Sequence, residues 1–473
     1  MRFLGIDLGT GSLKLATIDG DGRECATASV AYAVETPQPG WAEMRVEVWW
    51  RALIEAAARL PAQERDAVCA IGFSGQMHGV VLTAEDGSAV RSALLWPDTR
   101  AAGLLDAWPE PQPNPVAPGM AGPLLRWIVR NEPQSAAATR WALQPKDWLR
   151  AALGGVVATD PSDACATALA GTSGAWNHAQ IDALGLPQEW FAPLAPSYAA
   201  GGTLSVEAAR ALGLREGIVL AVGAGDTPCA ALGSGLAHDG DALLTTGTGG
   251  QIVVLATAVP QAARGLHAYR AATDHGYRMA AMQNVGVALE AVRGWLSYSW
   301  ADAYQDAFGV DPTTTLTFLP YLTGERSPWM NPAARGGWLG LALNDSRATM
   351  MRAAFEGVAF SLRAGLDAIR ANGAPVASLR LAGGGSVDAR WRQLLANALE
   401  AELYALDCPN AAARGAAMLG GLASGHWHAA DLAALTPAAT LVASPQRDAA
   451  LAARHARFID LYRRTESWFS VSA

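Results

Sequence analysis

The stretch GIDLGTGSLKLATIDGDG, Gly5 to Gly22, ends one apolar run on an acidic residue and follows it with a glycine-rich turn and a second apolar run. Residues 2–7 (RFLGID) read as a buried strand and residues 12–18 as its hairpin partner. Asp19-Gly20-Asp21-Gly22 is a second turn, leading into a third strand over 25–32. The first turn, Gly9-Thr10-Gly11-Ser12, with Asp7 just before it, admits two readings. It is a tight hairpin and nothing more, or an anion cradle, because glycine turns let several backbone N–H donors converge with no side chain in the way.

Working outward, EVWWRALIEAAARL carries Trp49, Leu53, Ala57 and Leu60 at helical spacing, which predicts an amphipathic helix over 46–60. Residues 68–73 form a short strand ending in Ser74-Gly75. Strands followed by crossovers indicate an α/β layer structure. Residues 110–123 (EPQPNPVAPGMAGP) are proline-rich and read as loop, and 136–215 as helices with loops. Residues 218–222 are another buried strand, running into Gly223-Ala224-Gly225-Asp226. The opening shape then recurs: a strand over 241–246, the turn Gly247-Thr248-Gly249-Gly250, and a strand over 251–256. Two copies half a chain apart suggest two related domains, although unrelated glycine hairpins would look the same. A third glycine site, Gly383-Gly384-Gly385-Ser386, follows a strand over 378–382 and precedes a helix with Trp391, Leu394, Leu395 and Leu399 on one face.

The bulk numbers bound the class of protein. A chain of 473 residues predicts at least two domains, and 51% hydrophobic with 16% charged residues describes a globular chain with a large core. A net charge of −8 offers no basic footprint for nucleic acid. No apolar stretch reaches membrane-spanning length free of charges and glycines, and MRFLGIDLGT lacks the pattern of a signal segment. The five cysteines are scattered and form no CxxC pair, so buried thiols in a cytoplasmic protein are expected rather than disulfides or zinc. Lysine occurs only at Lys14 and Lys146; this reflects composition bias, or two places where a compact ammonium is required.

The three glycine turns could together hold a nucleotide's phosphates. None matches GxxxxGK[ST], and none is a GxGxxG opening a helix with a ribose-binding acid beyond it. Phosphoryl transfer also needs a metal to bridge phosphates and a carboxylate beside the attacking oxygen. Asp7 and Asp226 are the carboxylates at strand ends; Asp226, in GAGDTP, is a catalytic base or an N-cap, and the two roles are compatible. In FSGQMHGV, Gln76, Met77 and His78 lie between glycines directly after a strand, which suggests a small polar pocket with one apolar wall.

GIDLGTGSLK, GQMHG, PKDWLR, GAGD, TTGTGG, PYLTGERSP and GGGSVDARWRQLLA occur in this order, and together they resemble the FGGY carbohydrate kinases over nearly the whole chain. GQMHG resembles the members that phosphorylate D-xylulose. The resemblance implies a duplicated actin-like, ribonuclease H-like α/β fold, with domains at 1–237 and 238–473 and ATP in the cleft between them. It implies a sugar kinase forming D-xylulose 5-phosphate, with another ketose or polyol (ribulose, glycerol, a pentitol) as the alternative acceptor, and an actin-like ATPase without a sugar acceptor as a more distant one. Gly9, Thr10, Gly11 and Ser12 would be the first phosphate turn, and Asp7 would organise Mg²⁺ through water. Gly247, Thr248 and Gly249 would be the second turn, and Gly383, Gly384 and Gly385 would lie along the adenosine. Asp226 would be the general base, with Gln76, Met77, His78 and Thr227 at the sugar. A homodimer is implied as well. The chain departs from the family pattern at Thr227 (often Asn), Gly249 (Ser), Pro97 (Asn), Leu124 (Lys) and Thr349 (acidic or amide). Lys146 is expected in a buried ion pair, Glu325 and Arg326 in a loop ion pair, and Trp41 and Trp96 are candidates for the sugar pocket.

Overall fold

The computed structural model describes residues 1–108, 112, 114–312 and 315–469. The opening stretch folds as strand β1 (Arg2–Leu8), a tight turn and strand β2 (Ser12–Ile18), followed by β3 (Glu24–Ala31). Helix α1 (Val46–Arg59) buries Trp49, Leu53 and Ala57 and leads toward β4 (Val68–Gly75). Further along come β5 (Ala200–Thr203), β6 (Val219–Ala221) and the two-residue β7 (Ala224–Gly225). The first sheet has the order β3-β2-β1-β4-β6-β5, with β7 beside the end of β4.

The second half repeats this plan. Its strands are β8 (Ala242–Thr246), β9 (Gly250–Ala256), β10 (His267–Arg270), β11 (Gly276–Met282), β12 (Ser378–Ala382), β13 (Glu402–Leu406) and β14 (Ala439–Ala443). Their order is β10-β11-β9-β8-β12-β13-β14. In both sheets the first strand forms an antiparallel hairpin, a third strand extends it, and a fourth and a fifth strand return parallel to the first. Shared connectivity over five strands goes well beyond two similar turns, and it makes the fold a duplication.

Both faces of the first sheet are covered. Leu4, Ile6 and Leu8 point into the core under α1, while Phe3 faces the opposite side. That opposite face is covered by a helix from far along the chain, Ala411–Ala423, which packs on β1, β4 and the helix Asp226–Gly233. The approach is backbone to backbone: a Cβ on Gly5 would fall inside the Ala413 carbonyl, and one on Gly72 inside that of Ala416. The second sheet presents Leu243, Val253, Leu255 and Met279 to Met77, Cys165 and Ala166 of the first half.

Two sequence expectations need adjustment. The segment read as loop over 110–123 holds the start of a helix, Ala121–Asn131, with Pro123 in its first turn, where a missing N–H costs nothing; Glu110, Pro111 and Pro113 lie outside the described residues. The thiols are not all buried: Cys165 and Cys229 are, Cys69 and Cys408 are half-buried, and Cys25 is exposed because it lies on the edge strand β3. As expected, among the described residues no helix is long and apolar enough to cross a membrane.

Candidate active site

Parallel strands gather ligand groups at their carboxyl ends. The ends of β1 and β4 carry Asp7, the first turn and the 76–78 loop, and the ends of β8 and β12 carry the second and third turns. The first turn is closed by Gly9 N–H to the Ser12 carbonyl at 3.0 Å, and is held from β3 by Tyr32, whose hydroxyl donates to the Gly9 carbonyl at 2.7 Å. Trp96 Nε1 donates to Thr10 Oγ1 at 2.8 Å, and that hydroxyl donates to Gln76 Oε1 at 3.2 Å. Gln76 is buried, so its amide braces the turn against the next loop. Trp41 lies elsewhere, stacked under the Arg100 guanidinium and against Trp127.

Asp7 Oδ1 accepts a hydrogen bond from Ser74 Oγ at 2.8 Å. Burial raises its pKa, partly offset by that bond and by Lys14, its cross-strand neighbour. Asp226 opens helix Asp226–Gly233; the cap position is Gly225, so the carboxylate stands one residue inside the helix instead of capping it. Its Oδ1 accepts from the Thr227 N–H at 2.6 Å, with the Thr227 hydroxyl at 3.4 Å. Burial first, and the charge of Asp7 second, push its pKa up to about 7.

His78 adopts a left-handed backbone, φ +74°, and its Nδ1 lies 2.7 Å from the Ala166 carbonyl. A carbonyl only accepts, so Nδ1 carries the proton and Nε2 is left as an acceptor. Burial lowers its pKa and keeps the ring neutral. Met77 packs in the apolar cluster that joins the two halves.

The second and third turns are tied to each other: Gly385 N–H donates to the Thr246 carbonyl at 3.2 Å, and Thr246 Oγ1 to Ser386 Oγ at 3.3 Å. Gly383 has φ +83°, and a Cβ there would collide with the Thr246 carbonyl, so only glycine fits. A Cβ on Gly247 or Gly384 would meet no atom within 4 Å. Thr248 and Gly249 complete the second turn, with the Gly249 carbonyl accepting from Gly247 N–H at 2.9 Å.

Behind the sugar loop lies a network that the sequence only hinted at. Lys146 Nζ sits 2.7 Å from Asp147, 2.9 Å from Asp160 and 3.1 Å from Asp163, every side chain fully buried. Arg150 adds a second cation on Asp147 at 2.7 Å. Three carboxylates against two cations leave one negative charge over, and burial raises the pKa of Asp163. The signal was TDPSDA, where two acids three apart follow PKDWLR. The Glu325–Arg326 pair is not formed: Glu325 accepts from Gln283 N–H at 2.6 Å, Arg326 N–H at 2.7 Å and Asn284 Nδ2 at 3.2 Å, because neighbouring residues of an extended loop point apart.

Comparison with known proteins reads the same motifs. Residues 2–233 match the N-terminal domain of the FGGY family of carbohydrate kinases, and residues 242–424 its C-terminal domain. The chain belongs to this family. FGGY kinases take ATP as a substrate, and this one is an ATP-dependent sugar kinase. It is 30% identical to a xylulose kinase of Bacillus subtilis (strain 168), over 89% of this chain and 88% of that one. It is 33% identical to a xylulose kinase of Escherichia coli (strain K12), over 84% of each. A crystal structure of a xyloylose kinase from Brucella ovis superposes with a TM-score of 0.92 at 31% identity, covering 99% of this chain and 100% of that one.

Two departures from the FGGY pattern have structural reasons. Thr349 forms a reciprocal capping box with Ser346 at the start of helix Arg347–Ala371, the work an acidic or amide side chain would otherwise do. Leu124 is fully buried in an apolar cluster with Ile128 and Leu169, where a lysine ammonium would be costly.

Proposed function

We propose that this FGGY kinase transfers the γ-phosphoryl group of ATP to the terminal hydroxyl of D-xylulose, forming D-xylulose 5-phosphate. The observation that carries the reading is the place of the Asp226 carboxylate, at the start of its helix beside the Met77–His78 loop and held by the Thr227 N–H, where burial and the Asp7 charge raise its pKa to about 7. A sugar hydroxyl is a poor nucleophile at neutral pH. A base whose pKa matches the working pH takes its proton as the new O–P bond forms and the β,γ-bridging P–O bond breaks, leaving ADP. Thr227 fixes the rotamer of the base through Oδ1, leaving Oδ2 to face the hydroxyl. His78 Nε2 accepts from a second hydroxyl, Met77 forms the apolar wall, and Gln76 couples this loop to the first phosphate turn through Thr10.

In this reading the turns of residues 9–12 and 247–249 orient the phosphates through backbone N–H groups other than those of Gly9 and Gly247, which close the turns, and Gly383, Gly384 and Gly385 lie along the adenosine. The open space over Gly247 and Gly384 fits such a ligand. The first turn, sugar loop and base fall in a domain over 1–237, and the second and third turns in one over 238–473.

Asp7 fits a hydrated Mg²⁺. It is a buried carboxylate at the end of β1 with Oδ1 on Ser74, and burial raises its pKa. Among the described residues no group of three or more His, Cys, Asp or Glu is placed to hold a metal ion, so the rest of the shell would come from phosphate oxygens and water. Bound there, Mg²⁺ would neutralise charge on the β- and γ-phosphates. Closure of the two halves over the sugar would exclude water, the competing acceptor.

The deciding experiment is ADP release from Mg·ATP with D-xylulose, L-xylulose, D- and L-ribulose, glycerol, D-arabinitol, xylitol and no sugar. The reading expects D-xylulose to lead. Another preferred acceptor would move the substrate and keep the mechanism, and sugar-independent hydrolysis would overturn the kinase reading.

A further inference from the structure

We propose that Ser162 is a positioning residue for the transfer step: its hydroxyl ties the buried Lys146–Asp160 pair to the backbone just before Asp226, and so sets where that carboxylate stands. This rests on the reading of Asp226 as the base and adds a residue that acts through it.

Asp160 caps the short helix Pro161–Ala164, accepting from the Ser162 N–H at 2.9 Å. The same oxygen, Oδ2, accepts from Ser162 Oγ at 2.5 Å and from Ser197 Oγ at 2.7 Å, while Oδ1 lies 2.9 Å from Lys146 Nζ. Asp160, Ser162 and Lys146 are all fully buried. Ser162 Oγ in turn accepts from the Gly225 N–H at 3.1 Å. Chemistry fixes the direction of each bond. An amide N–H only donates, so a serine lone pair meets Gly225 and the single hydroxyl proton goes to Asp160.

Gly225 is where this bears on the reaction. It holds the cap position of helix Asp226–Gly233, so its backbone aims the next side chain, the Asp226 carboxylate. Its Cα is packed as well: a Cβ there would fall 2.6 Å from Met77 Cγ and 3.3 Å from Asp163 Oδ1. Gly225 pairs with Gly75 where β7 lies beside β4, and a Cβ on Gly75 would fall 2.8 Å from Lys146 Cβ. Gly75 leads directly into Gln76, Met77 and His78. One buried unit thus packs under the root of the sugar loop and bonds to the root of the base. Thr227 holds the carboxylate from inside the helix, and Ser162 fixes the entry to that helix from outside. A base held by such a supporting shell keeps its distance to the reacting hydroxyl, and small misplacements are costly.

The test is a double-mutant cycle on kcat, with Mg·ATP and D-xylulose or the acceptor that leads the panel above. Ser162→Ala should lower kcat about 10-fold or more and change the KM for ATP and for sugar less than about 2-fold, because only the placement of the base is lost. In the Asp226→Asn background the same change should lower kcat no further, since no base remains to be placed. Ser197→Ala is the control for a structural effect. It takes a buried hydrogen bond from the same Asp160 oxygen and none from Gly225, so it should lose a similar amount of Tm and keep its kcat. Ser162→Cys offers only a weak donor and acceptor in nearly the same shape, and carries the same expectation should the alanine variant fail to fold. An unchanged kcat at position 162, an equal loss in both backgrounds, or an equal loss in Ser197→Ala would overturn the inference and leave the base reading standing. Wild-type kcat in Asp226→Asn alone would instead overturn the base reading, and the inference with it.

Discussion

The carboxylate of Asp7 raises the proton affinity of Asp226 across the mouth of the first sheet. The two groups lie on different strands and helices, 219 positions apart in sequence, and only the side-by-side pairing of β1, β4 and β7 brings them together. With burial, this coupling places Asp226 at about 7 instead of its ordinary 3.8.

The first prediction follows from that value. The low-pH limb of kcat/KM should be centred near 7, because the base must be ionised, and Asp226→Asn should lower kcat by ~10²–10⁴. Stability carries the opposite sign from an ordinary salt-bridged carboxylate. Between about 4 and 7 the folded state holds a proton that the unfolded state has lost, so folding is progressively destabilised as pH rises through that window. Asp226→Asn has no such term, and its Tm should exceed that of the wild type by a few degrees at pH 8 and by less at pH 4. A Tm difference that does not change with pH would show that Asp226 titrates normally.

The buried Lys146 network yields the second. Removing one partner from a buried cluster strands uncompensated charge, here three carboxylates around a single remaining arginine. Lys146→Ala should cost ~3–5 kcal/mol in denaturant unfolding. Lys146→Arg should rescue little, since a planar guanidinium cannot replace a compact ammonium that serves three acids at once. Wild-type stability in Lys146→Ala would mean that the acids are held neutral without the lysine.

The distribution of legible and hidden features has a physical logic. The β1–β2 hairpin, the Gly247 turn and the strand before Gly383 could be read because local alternation and turn chemistry determine them. Helix 411–423 could not be placed on the first sheet: its alanines and glycines are apolar on every side, and its partners, Gly5 and Gly72, are marked only by lacking a side chain. Asp226 was legible as a strand-end acid, but that it does not cap its helix shows only in the folded chain, where Gly225 takes the cap position. Asp160 and Asp163 have little meaning in the sequence alone, because it depends on Lys146, which arrives from another helix. Lys14 stands out in the sequence only as one of two lysines; the register that sets it opposite Asp7 is a property of the folded hairpin.

A third prediction separates the nucleotide role of the glycine turns from their packing role. Gly383→Ala would confound the two, since its Cβ strikes the Thr246 carbonyl. Gly384 is the cleaner probe, because a Cβ there meets no protein atom within 4 Å. Gly384→Val should keep its Tm and raise the KM for ATP about 10-fold or more, with the KM for sugar little changed. An unaltered KM for ATP would remove the third turn from the nucleotide site.

The last prediction concerns His78. Its positive φ makes alanine a poor probe, because a loss could come from backbone strain, whereas asparagine tolerates the left-handed region. His78→Asn removes the neutral imidazole acceptor and keeps the turn. If Nε2 accepts a sugar hydroxyl, the KM for sugar should rise about 10-fold while the KM for ATP stays put, since the first turn is braced through Gln76 and Thr10 and not through His78. An equal loss in both constants would place His78 in the packing between the two halves, beside Tyr269, and leave the sugar to the other residues of the site.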